Sequence, residues 1–219
     1  MKPYEKYPNE CEQLIEICKR LYNRNMLAAA DGNISLKVAD GILITPSGRP
    51  KAFIEEHEVA LITIDNEIIY GSPSSERLMH LEVYKQCPEA LSVVHAHPPT
   101  AIAWSVAFPE YKELPNNCLS EIVLAAGSIP IADYARPGTQ NMGSVLSPHL
   151  PAYKLMVLSR HGALSWGVSL EEAYMGMERI EHSAEILYRA KTLNDLSFLK
   201  DEEMKALLEL RKKIGKKTL

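Results

Sequence analysis

The sequence predicts an α/β domain with a mixed sheet covered on both faces. Short apolar runs with strand character come first as hairpins and then alternate with helical patterns, which places helices against both sides of a sheet. No linker, repeat or low-complexity segment divides the 219 residues. The chain is 46% hydrophobic and 24% charged, with a formal net charge of −4, an ordinary make-up for a globular protein whose core needs no disulfides. Residues 1–219 are therefore expected to form one domain.

The elements follow in order. Over residues 9–27, Leu14, Ile15, Ile17, Cys18, Leu21 and Tyr22 recur with a helical period, with Asn9 as the expected cap. A small-residue turn at 28–33 leads into a short strand at Ile34 and Ser35. Asp40-Gly41 marks a hairpin into the strand Ile42-Leu43-Ile44, which ends in the turn Thr45-Pro46-Ser47-Gly48. Residues 60–64 and 67–70 form a second strand pair joined through Asp65-Asn66. Gly71-Ser72-Pro73 breaks the chain, and Ser74 or Ser75 is expected to cap a helix running to about Gln86. Residues 91–96 read as a buried strand closed by Pro98-Pro99, since proline lacks the amide a sheet ladder needs. A short helix at 100–107 and an irregular connection at 108–118 come next. Residues 121–126 fit helix or strand equally. A strand at 129–134, a helix at 139–149 and a buried strand at 155–159 follow, the last stopped by Arg160-His161-Gly162. Helices over 170–190 and 201–213 complete the chain.

Composition also excludes. Mild acidity and the lack of a basic stripe with interleaved aromatics argue against a nucleic-acid partner. The start, MKPYEKYPNE, has no apolar leader segment, and no run of eighteen apolar residues occurs, so no membrane partner and a cytoplasmic location are expected. Lys212, Lys213, Lys216 and Lys217 read as a solvated basic tail. Cys11, Cys18, Cys87 and Cys118 form no C-x-x-C pair and are expected to be reduced.

The chemistry-bearing residues begin with His95 and His97. Residues two apart on a strand share a face, so both imidazoles project together at the strand's end, as a zinc site requires. His161 has a similar setting, after an apolar strand and before a glycine, and is the expected third ligand. His80 lies four residues after Glu76 on the same helix face and is read as its support rather than as a ligand. His57, His149 and His182 are read as surface residues. Glu76, in the first turn of its helix, could simply compensate the helix dipole. The two serines before it also present hydroxyls and amides of the kind that hold phosphate. The turns Ser47-Gly48 and Gly32-Asn33 have the same character.

These residues form an ordered set: G-N-I-S at 32–35, T-P-S-G at 45–48, S-S-E at 74–76, V-V-H-A-H-P at 93–98 and R-H-G at 160–162. In this set the chain resembles the class II aldolase/adducin family over about residues 9–190, leaving the C-terminal helix and basic tail at 200–219 outside. The resemblance implies a three-layer α/β/α sandwich with a mixed central sheet, and a homotetramer with sites at subunit interfaces. It makes His95, His97 and His161 the ligands of Zn2+ or another divalent metal, and Asn33, Ser47, Gly48, Ser74 and Ser75 the phosphate cradle. Glu76 becomes the acid/base and a metal ligand that substrate displaces. The implied reaction is cleavage of a (deoxy)ketose 1-phosphate, a small-molecule sugar phosphate, to dihydroxyacetone phosphate and an aldehyde through a metal-stabilised enediolate, as in the family's L-fuculose-1-phosphate aldolases. Glu76 is expected to protonate C3 and, being desolvated, to have a raised pKa; the phosphate grip is expected to be neutral and backbone-based.

The family also holds an L-ribulose-5-phosphate 4-epimerase, whose branch carries Asp where Glu76 stands, sugar-acid phosphate decarboxylases, and adducin-like scaffold domains without the full metal site. The chain departs from the fuculose enzymes at two tyrosines of the aldehyde half, with Glu121 at one position and Ile214 at the other. Glu121 is the candidate to transfer the proton at the C4 oxygen. The family's methylthioribulose-1-phosphate dehydratases carry a catalytic glutamate near that position but lack S-S-E.

Overall fold

The structure, a computed structural model, describes residues 2–215. Helix α1 (Pro3–Lys6) leads into α2 (Pro8–Asn23), and strands β1 (Asn33–Val38), β2 (Gly41–Ile44), β3 (Ala60–Ile62) and β4 (Ile68–Tyr70) follow as an antiparallel meander. Helix α3 (Arg77–Gln86), strand β5 (Ser92–Ala96) and helices α4 (Pro99–Ala107) and α5 (Ser120–Ala125) come next. Then come strand β6 (Ile131–Ala132), the single turn α6 (Asn141–Ser144), and the hairpin of β7 (Leu155–Leu158) and β8 (Gly162–Gly167). Helices α7 (Leu170–Leu193) and α8 (Asp201–Ile214) end the described chain. The strands form one mixed sheet in the order β4-β3-β2-β1-β5-β8-β7-β6, in which β6 and β7 run parallel and the other neighbours antiparallel.

Strand alternation sorts the core into two layers, one on each face. On β7, Leu155 and Val157 pack with α2, α4 and α7, whereas Met156 and Leu158 pack with α3 and α6. The fold is thus the expected α/β/α sandwich. Helix α4 has no side-chain cap of its own. Glu181 of α7 supplies one, its carboxylate accepting from the Thr100 and Ala101 amides at 3.0 Å.

Several expected elements change. Strand β8 follows directly where a stop was expected. All six of its residues are buried, so Gly162, Ala163, Ser165 and Gly167 show none of the alternation that marks a half-buried strand. The expected helix at 139–149 contracts to the four residues of α6, and turns through Ser147 and Pro148 follow it. The expected strand at 129–134 pairs over only two residues, and residues 121–126 resolve as helix. Asn9 lies inside α2, which starts at Pro8, a residue preorganised for a first helical turn. Ser74 and Ser75 precede the helix start; Glu76 itself stands at the cap position, without a side-chain capping bond. His149 is half-buried against Tyr153, whereas His57 and His182 are exposed. Lys212 and Lys213 are exposed; Lys216 and Lys217 lie outside the described residues.

Candidate metal and substrate site

The site begins at the central strand. Asn33 of β1 sits opposite His95 of β5, and Ala96 opposite Ala163 of β8. His97 lies just past the strand, where its amide donates to the Met26 carbonyl at 2.8 Å. His161 occupies the tight β7–β8 turn after Arg160, whose φ is +58°. The next residue has to be small: a Cβ on Gly162 would meet the Ala96 carbonyl at 2.6 Å and the His95 ring at 2.8 Å. That close approach brings the third imidazole to the other two, and the ring centroids of His95, His97 and His161 lie 4.9–5.1 Å apart.

The donor atoms converge on one point. His95 Nε2 and His97 Nε2 are 3.2 Å apart, Glu76 Oε1 is 3.2 Å from His161 Nε2, and Glu76 Oε2 is 3.4 Å from His95 Nε2. Four ligands arranged tetrahedrally at zinc bond lengths of about 2 Å would stand about 3.3 Å apart. The tautomers agree. His95 Nδ1 contacts the Ala163 carbonyl at 2.9 Å, which can only accept, so Nδ1 carries the proton and Nε2 a lone pair. His97 Nδ1 faces the Asp31 carboxylate at 3.3 Å, with the same consequence. Lone pairs and a carboxylate facing one another at these distances fit a shared cation. Burial, and then the neighbouring His95, holds the His97 ring below its ordinary pKa, favouring the neutral form that binds metal.

Glu76 departs from expectation. Burial pushes its carboxyl up, but the His161 and His95 imidazoles beside it, when protonated, outweigh that by hydrogen bonding and charge and hold it below the usual carboxylate range. The expected upward shift therefore reverses wherever these imidazoles carry protons. Its side chain points at the histidines rather than at its own helix amides, which removes the capping role. A buried relay fixes it. Asn33 Nδ2 donates to Glu76 Oε2 at 2.9 Å, so Asn33 Oδ1 must accept from His80 Nε2 at 2.5 Å. His80 Nδ1 then accepts from Ser35 Oγ at 2.7 Å, and Ser35 Oγ from the Tyr84 hydroxyl at 2.8 Å. His80 thus supports Glu76 through Asn33. Burial lowers its pKa to about 3, with His95 adding to the effect.

A cavity of about 290 Å³ opens beside this cluster, lined by Asn33, Ser47, Gly48, Ser74 and Ser75 together with Glu76, His97 and His161. The Ser47-Gly48 and Ser74-Ser75 turns are stitched together, Ser47 N to the Ser72 carbonyl at 2.9 Å and Ser74 N to the Thr45 carbonyl at 3.1 Å. Two of the amides expected to be free for an anion are therefore spent. Those of Gly48 and Ser75, among the described residues, make no hydrogen bond within the chain. A larger groove of about 1230 Å³ runs along α2 and is not lined by the histidine cluster.

Two residues of the site have no counterpart in the sequence reading. Asp31 orients His97; a carboxylate next to the Gly32 turn was the available signal. Lys51, 3% exposed, lines the cavity and donates to the Ala30 and Arg49 carbonyls, each at 2.7 Å. No periodicity marks a buried lysine in a loop. Glu121, by contrast, is exposed in the first turn of α5 and does not line the cavity of its own chain.

Comparison with known proteins agrees with this geometry. Residues 12–188 match the model of the class II aldolase and adducin N-terminal domain. An L-fuculose phosphate aldolase of Methanococcus vannielii is 32% identical over 177 residues, covering 81% of this chain and 94% of that protein. A 3-oxo-tetronate 4-phosphate decarboxylase of Escherichia coli is 29% identical over 184 residues, covering 81% and 85%. Among solved structures, an L-fuculose 1-phosphate aldolase superposes with a TM-score of 0.82 at 27% identity, covering 92% of this chain and 95% of that one.

Proposed function

The chain belongs to the class II aldolase and adducin family, a metal-dependent lyase family, and from that premise we propose that it cleaves a ketose 1-phosphate to dihydroxyacetone phosphate and an aldehyde, using zinc. The observation that carries this reading is the convergence of three imidazoles and one carboxylate beside a serine- and glycine-lined cavity. His95, His97 and His161 would hold the cation, with Glu76 as the ligand that substrate displaces. Bound there, the metal supplies a Lewis acid that polarises the substrate's carbonyl and stabilises negative charge on its oxygens.

The chain's residues supply the rest. The Ser47-Gly48 and Ser74-Ser75 turns, with the second N–H of Asn33, hold the phosphate and so fix the position of C3. In the cleavage direction the C4 hydroxyl loses its proton, the C3–C4 bond breaks, and its electron pair moves onto the C2–C3 unit. Glu76, having taken a proton from solvent once substrate has displaced it from among the imidazoles, then delivers that proton to C3, and in condensation removes the same proton. The relay through Asn33 and His80 keeps one carboxylate oxygen oriented while the other faces the reacting carbon. Glu121 is proposed as the proton carrier at the C4 oxygen, lent by a neighbouring subunit. That placement goes with a homotetramer having sites between subunits. Its support is the exposure of Leu208, Leu210 and Ile214 on α8, a helix that buries none of its residues within the chain. We place the motif-bearing core at about residues 9–190 of a single domain and the protein in the cytoplasm; among the described residues no helix is long and apolar enough to cross a membrane.

One specific observation favours a second reading: the resemblance to a decarboxylase of a sugar-acid phosphate, whose reaction would need the same charge stabilisation. A screen of ketose 1-phosphates with zinc added, reading dihydroxyacetone phosphate through a coupled enzyme, tests the first reading. Release of carbon dioxide from a 3-oxo sugar-acid phosphate, with no aldehyde from any ketose 1-phosphate, would replace it with the second.

A further inference from the structure

Lys51 is the one lysine or arginine lining the cavity among the described residues. It sits at the start of the 3-10 turn Lys51–Phe53, three residues after Gly48, on the loop that carries Ser47 and Gly48. Its ammonium ties two turns of the cavity together by donating to the Ala30 carbonyl, beside Asp31, and to the Arg49 carbonyl, beside Gly48. An ammonium has three N–H donors, and these bonds use two. The third is unspent within the described chain.

Burying a cation for the sake of two neutral carbonyls is a poor exchange, since an apolar side chain of similar length fills the same space without the desolvation penalty. The other charged groups nearby do not settle the account. Asp31 is engaged with His97, and Glu76 with His95 and His161. Burial pulls the Lys51 pKa down, while Cys18, Asp31 and Glu76 act against that pull. Arg49, on the same loop, is turned away to an ion pair with Glu58 at 2.7 Å and does not line the cavity.

We propose that Lys51 is the charged member of the phosphate site, its third N–H donating to the phosphate of the bound sugar phosphate. The inference rests on the functional reading above and changes one feature of it. The phosphate grip is cationic rather than neutral, and Lys51 sets the preference for phosphorylated over unphosphorylated ligands.

The test uses zinc-loaded protein and three probes: dihydroxyacetone phosphate, inorganic phosphate and unphosphorylated dihydroxyacetone. Lys51→Met removes the charge and keeps the stem; Lys51→Gln keeps an amide donor and serves if the first variant does not fold. Losing one charge-assisted hydrogen bond weakens binding about tenfold to a hundredfold. That loss is expected for both phosphate probes in the folded variants, with dihydroxyacetone binding and zinc content unchanged. Equal weakening for all three probes, or loss of zinc, would make Lys51 a structural tie and overturn the proposal, as would phosphate binding at wild-type strength. Wild-type protein that binds neither phosphate probe would remove the functional reading itself, and this inference with it.

Discussion

Burial and the neighbouring imidazoles pull the acidity of Glu76 in opposite directions, and the imidazoles win when they are protonated. On the proposed reading, a resting carboxylate serves as the displaceable metal ligand and would become a useful base only when substrate takes its place among the imidazoles. His80 shows the opposite balance. With no exposed surface and a pKa lowered to about 3, it stays neutral in the folded protein where an unfolded histidine, near 6.5, takes up a proton. The folded state therefore has its full advantage above pH 6.5 and loses it as pH falls toward 3. Relative to His80→Gln, the wild-type protein is expected to lose about 1.4 kcal/mol of stability per pH unit across that window. Denaturant unfolding at several pH values reads the difference; parallel curves for the two proteins would exclude a neutral, relay-bound His80.

At the scale of elements, Glu181 joins α7 to the otherwise uncapped start of α4, which follows directly on the His97 strand end. Glu181→Ala is expected to cost about 2 kcal/mol, the range for hydrogen bonds to a charged group, with the midpoint of denaturant unfolding falling accordingly. An unchanged midpoint would deny the carboxylate its capping role. Elements also explain what could be read without coordinates. The V-V-H-A-H-P strand was legible because period two dictates that His95 and His97 share a side. Hairpin and turn residues likewise marked the first four strands. Strand β8 was not legible, because a strand buried on both faces need not alternate. The direction of the Glu76 shift was hidden because it depends on imidazoles separated from it by roughly twenty and eighty-five residues. Lys51 was hidden for the same reason: a lysine is ordinarily a surface residue, and its burial arises only when the loops at 30 and 49 meet.

For the whole molecule, a metal bound at the junction of β5, the β7–β8 turn and the start of α3 ties together segments distant in sequence. Zinc at about a hundredfold over its Kd is expected to add about 2.7 kcal/mol of stability. In a chain of this size that raises Tm by roughly 5–10 °C. A chelator should reverse the gain, and scanning calorimetry with and without metal measures it. His95→Ala and His161→Ala should both abolish the response, although one residue lies on the strand and the other in a turn. If α8 lends its exposed apolar residues to neighbours, light scattering should give four times the chain mass of 24.5 kDa.

The central claim is that three histidines and Glu76 form one working site, in which Glu76 moves a proton at C3 of the substrate. Proton exchange at C3 of dihydroxyacetone phosphate in deuterated water, followed by NMR, tests it most directly. The zinc-loaded wild-type protein should catalyse the exchange, His161→Ala should lose zinc and exchange together, and Glu76→Gln should keep zinc while losing exchange at least a hundredfold, about the low end for a general acid/base. Exchange at the wild-type rate in zinc-loaded Glu76→Gln, or full zinc retention in His161→Ala, would contradict the account.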